Sequence, residues 1–133
     1  MATNHPEYIF FYGGKDKEWV KRLASKVNKV ADASKQIAGT IDVSHHNDPK
    51  TAESKLRQYV QNITPADVEI LNDFIPEHSK GWLVLTKNGS VFEKGYGESL
   101  QKTMDAFEKG WKKAVGNSGD FGNSFKEALR LSA

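Results

Sequence analysis

A chain of 133 residues with 38% hydrophobic and 11% aromatic content has enough to bury for one core and too little length for two ordinary domains. Its 19 Lys and Arg against 17 Asp and Glu leave a formal charge of +2, too balanced to mark a polyanion-binding surface, so nucleic acid is not an expected partner. Cysteine is absent, which removes disulfides, thiolate metal ligands, Cys nucleophiles and dithiol redox chemistry together.

Residues 1–7 read as a polar, disordered leader, and residues 8–133 as a single domain. The leader has no basic n-region or apolar core, and no apolar run reaches the roughly 18 to 20 residues of a membrane span. The expected location is therefore the cytoplasm.

Tyr8-Ile9-Phe10-Phe11-Tyr12 is a continuous aromatic and β-branched run, the pattern of a strand buried on both faces, and Gly13-Gly14 stops it. From Asp16, Trp19, Val20, Leu23, Val27, Val30 and Ala31 fall at helical spacings and predict a helix to about Ala33. Residues 36–43 form the next strand, completing a βαβ unit with a parallel pairing. Asp48-Pro49 opens an expected helix with Ala52, Leu56, Tyr59, Val60 and Ile63 on its apolar face, and Thr64-Pro65-Ala66-Asp67 opens a short third helix.

The runs Gly81–Thr86 and Ser90–Lys94 flank Asn88-Gly89, the strongest short hairpin signal, because both residues tolerate positive φ. After Gly95-Tyr96-Gly97, the positions of Leu100, Met104, Phe107, Trp111, Ala114 and Val115 trace a long helix ending at Gly116. Ser124-Phe125-Lys126-Glu127 reads as a capping box opening a last short helix. Pro76 reads as a loop proline. The order βαβ then ββα predicts an α/β fold of thioredoxin-like architecture, a four-stranded mixed sheet flanked by helices.

The segment Tyr8 to Val20 closely resembles the opening of the C-terminal domain of the plant sieve element occlusion family, the phloem P-proteins that include forisome subunits. The shared pattern is a hydrophobic strand, then Tyr12, Gly13, Gly14, one residue, Asp16, two residues and Trp19. Gly81-Trp82-Leu83-Val84-Leu85, the Gly95-x-Gly97 pair, Trp111-Lys112, Phe121 and Phe125 resemble the same family further along. The middle, from Asn62 to Lys80, is shorter than in that family, and no cysteine-rich tail follows, as expected of an isolated or shortened domain. The resemblance implies a thioredoxin-like fold and a structural role in plugging injured sieve elements, with the chain itself or related subunits as partner.

In redox-active thioredoxin relatives the dithiol stands between the first strand and first helix, where Gly13, Gly14, Lys15 and Asp16 lie here without sulfur. The expectation is a non-enzymatic domain without cofactor. The alternative is a thioredoxin-fold anion or small-ligand binder, or an enzyme without cysteine chemistry, that uses free N–H groups of this turn with Lys15 adding charge. Against it, the glycines also serve a tight strand-to-helix turn capped by Asp16. His45 and His46, with Asp42 and Asp48 nearby, are the weak metal candidates; adjacent histidines diverge, and Asp48 is better used as a cap, so no metal is expected. Basic side chains on the first and the long late helix, set against acidic residues elsewhere, offer charge complementarity between copies.

Overall fold

The computed structural model describes residues 8–33, 37–42, 54, 57–58, 64–78, 80–88, 90–115 and 121–132, with backbone alone for 33, 37–42, 111–115 and 132. Strand β1 (Tyr8–Gly13) leads into α1 (Lys17–Ala33) and β2 (Ile37–Asp42); α2 (Pro65–Glu77) precedes the hairpin β3 (Trp82–Lys87) and β4 (Ser90–Tyr96); α3 (Glu98–Val115) and α4 (Phe121–Ser132) complete the order.

Every residue of β1 is buried, and the alternation of its side chains divides the core in two. Tyr8, Phe10 and Tyr12 join Leu83 and Leu85 of β3 beneath α1, α3 and α4, packed against Leu23, Val27, Met104, Phe107, Phe121 and Phe125. Ile9, Phe11, Trp82 and Val84 point to the other face and meet Leu71, Phe74 and Ile75 of α2. A strand covered on both sides needs apolar residues at consecutive positions, which is why β1 reads as an unbroken aromatic run. Each fully buried side chain of this size contributes about 1.5–3 kcal/mol of transfer free energy. Phe10 and Phe107 each meet Phe121 and Phe125 edge-on, with ring centroids 4.9–5.7 Å apart, the geometry that the ring quadrupole favours.

The expected thioredoxin-like, four-stranded mixed sheet is corrected by these strands. The strands whose side chains are described form a three-stranded antiparallel unit: β3 pairs with β1 on one side and with β4 on the other. Backbone pairing continues, in the order β2-β1-β3-β4, to a parallel strand β2 described by backbone only. Among the described residues, the supported description is the broader one, a mixed α/β arrangement with this antiparallel unit and four helices of stated bounds.

Other corrections are local. Pro76 is not in a loop but in the last turn of α2, whose end at His78 is held by its N–H on the Phe74 carbonyl; near the terminus a proline costs little further helix. Helix α4 starts at Phe121, so Ser124 lies inside it and opens nothing. Strand β4 runs on through Gly95 and Tyr96. Of the helix expected from Asp48 to Ile63, only Ser54, Arg57 and Gln58 are described, each helical and exposed.

Thr64 caps α2: its hydroxyl oxygen accepts from the Asp67 N–H at 3.1 Å and donates to Asp67 Oδ2 at 2.8 Å. Asp67 is buried, and its Oδ1 accepts from the Val91 N–H of β4 at 3.2 Å, tying the helix start to the sheet edge. On the opposite face, Lys26 and Lys29 of α1 pair with Asp105 and Glu108 of α3. Part of the basic side of α1 is thus used within the chain.

Candidate functional site

The β1–α1 turn is where the sequence places its candidate anion-binding residues, and its geometry follows from close backbone approach. Gly14 has φ +151°, and a Cβ there would overlap the Lys80 carbonyl oxygen and stand 2.7 Å from Gly81 Cα. Only glycine allows the turn to lie against the Lys80–Gly81 backbone at this distance. The Asp16 N–H donates to the Lys80 carbonyl at 3.2 Å, fixing the approach. Asp16 Oδ1 then accepts from the Trp19 N–H at 3.1 Å, so this carboxylate caps α1.

Trp19, buried to 3% exposure, lays its ring over Gly81, where a Cβ would stand 2.6 Å from Cζ3. The Gly97 N–H donates to the Gly81 carbonyl at 3.4 Å, and Gln101 Nε2 donates to the Trp19 carbonyl at 3.1 Å. A Cβ at Gly95 would stand 3.1 Å from Leu100 and 3.2 Å from Leu129.

Residues 12–19, 80–82 and 95–101 therefore meet at one end of the sheet. Gly13 and Tyr12 are paired with Trp82 and Leu83 across β1 and β3, and Trp82 is fully buried on the α2 face. Gly14, Asp16, Trp19 and Gly81 make the joint itself. Lys15 is exposed beside it. Trp111 lies in α3, but its side chain, like His45 and His46, falls outside the described residues.

The joint limits what the turn can do chemically. The Asp16 N–H is held by a carbonyl and the Trp19 N–H by a carboxylate, and that carboxylate repels an incoming anion. The parts missing from the sequence reading are the Lys80 carbonyl and Gln101. Neither carries a motif, because a contact across more than sixty residues leaves no local spacing to read. Among the described residues, Gln101 Oε1 and Trp82 Nε1 are buried without a hydrogen-bond partner.

Among the described residues, no three His, Asp or Glu side chains gather to hold a metal ion. No helix described is long and apolar enough to cross a membrane. No protein-family model, no curated protein and no solved structure matches the chain.

Proposed function

We propose that the chain is a non-catalytic structural domain of the sieve element occlusion type, acting by association with copies of itself or related subunits to plug phloem sieve elements. The observation behind this reading is the joint. Gly14, Asp16, Trp19 and Gly81, residues on which the resemblance rests, are each spent on packing or capping. A motif used in this way builds a scaffold and leaves function to surfaces. The anion-binding alternative has less support, since the Asp16 and Trp19 N–H groups are engaged and a carboxylate occupies the helix start.

Sedimentation velocity across a wide concentration range tests the proposal on the 133-residue chain. Self-association predicts a weight-average sedimentation coefficient that rises with concentration and returns on dilution. A coefficient fixed at the monomer value throughout, with no binding to related subunits added in excess, overturns it.

A further inference from the structure

A cleft of about 410 Å³ opens between the C-terminal half of α2 and the end of β4. Ile70, Asp73, Phe74 and Glu77 line it from the helix, and the spacing i, i+3, i+4, i+7 places all four on one face. His78, which ends that helix, stacks on Tyr96 of β4 with ring centroids 3.6 Å apart and planes 15° from parallel. Phe74 stands 4.7 Å from the His78 ring and 6.1 Å from that of Tyr96. Three rings thus converge on a space that also holds two carboxylates. Tyr96 stays 52% exposed, and Asp73 and Glu77 form no ion pair among the described residues.

One cation already uses this chemistry. Lys94 Nζ lies 5.8 Å from the centroid of the Phe74 ring, within the reach of cation–π attraction. With Asp73, Glu77 and Lys94 ionised, the cleft carries a net charge of −1, so a single further positive charge neutralises it. Its volume falls in the range of small-ligand sites. The carboxylates repel anions, and an uncharged apolar group would gain no charge pairing from either of them.

We propose that this cleft binds an organic cation, an alkylammonium or guanidinium group, between the Tyr96, His78 and Phe74 rings and the Asp73 and Glu77 carboxylates. Lys94 acts as a tethered competitor for the Phe74 face. The inference does not depend on the self-association reading.

Amide NMR titration of the whole chain provides the test, with tetramethylammonium and methylguanidinium as probes and tert-butanol and methylurea as uncharged counterparts of similar shape. The expected result is saturable shifts confined to residues 70–78 and 94–96 with at least one cation, and binding about tenfold weaker or worse for its uncharged counterpart. Tyr96→Leu, at a half-exposed position, weakens cation binding about three- to tenfold, and Lys94→Met strengthens it by removing the competitor. Equal affinity for a cation and its uncharged counterpart, or no saturable shift with either cation, overturns the proposal.

Discussion

Replacing Gly14 with alanine puts two separate demands on the β1–α1 turn. The backbone sits at φ +151°, a conformation that costs an L-residue about 1–3 kcal/mol. The new Cβ also overlaps the Lys80 carbonyl and stands 2.7 Å from Gly81 Cα. Because these neighbours are backbone, they cannot rotate away, and overpacking of this kind adds about 1–3 kcal/mol. Together they predict a loss of about 4 kcal/mol, a large part of the roughly 5–15 kcal/mol available to a domain.

Two other glycines separate the terms. Gly97 has φ +75° with nothing among the described residues within 4 Å of an added Cβ, so Gly97→Ala carries backbone strain alone, about 1 kcal/mol. Gly110 lies within α3 with nothing among the described residues within 4 Å of an added Cβ, and Gly110→Ala should stabilise by about 0.5–1 kcal/mol through helix propensity. Thermal unfolding followed by circular dichroism ranks the three. At roughly 3–5 °C per kcal/mol for this chain length, Gly14→Ala should melt about 10–20 °C below the parent and Gly110→Ala slightly above it. A Gly14→Ala protein no less stable than Gly97→Ala refutes the close-approach account of the joint.

Three further predictions rest on single contacts. Gly81→Ala should be destabilising in the parent but much less so in a Trp19→Leu background, with a coupling of about 1–3 kcal/mol in urea titrations; additive effects would mean that the ring does not occupy the space over Gly81. Asp67→Ala strands the Val91 N–H and should cost about 2–3 kcal/mol, against about 1 kcal/mol for the Thr64→Ala cap loss, and equal costs would deny the link to β4. The Arg130 side chain, whose Nε donates to Glu127 at 3.2 Å, lowers the Glu127 carboxyl pKa. Its stabilising contribution is therefore present above the ordinary carboxylate pKa of about 4.3 and disappears as pH falls through the lower folded value. Glu127→Gln should thus differ from the parent at neutral pH and converge with it in acid, the difference shrinking with salt; a gap that widens in acid would reverse the assigned sign.

The elements legible in the sequence are those whose signals are local. The Tyr8–Tyr12 run, the apolar stripe of α1, Thr64-Pro65 at the start of α2 and Asn88 at the hairpin each act within a few residues, and Asn88 does take positive φ. The errors come where tertiary packing outweighs a local pattern. Ser124 and Glu127 have capping-box spacing, but Phe121 and Phe125 must both face the core, which carries α4 back a full turn. Pro76 looks like a breaker, yet Phe74 and Ile75 of α2 are buried against β1 and β3 and keep it helical to Glu77. The buried role of Asp67 is hidden because its partner, Val91, lies 24 residues away.

The same limit governs the candidate site. The turn residues Gly13 to Asp16 are visible as glycines before a helix, a pattern that fits anion capture and tight packing equally well. What separates the two is the Lys80–Gly81 backbone, brought in by β3, and no spacing within the turn encodes it. The cleft against α2 was equally out of reach, since His78 and Tyr96 become neighbours only when the hairpin forms.

The proposed function rests on the β1–α1 turn being a joint rather than a ligand site. Amide NMR of the turn during titration with inorganic phosphate tests that claim most directly. The account predicts that the Lys15, Asp16 and Lys17 amides show no saturable shift, because the Asp16 N–H stays on the Lys80 carbonyl and the Asp16 carboxylate repels phosphate. Saturable shifts centred on these amides, lost in Lys15→Ala, would contradict it.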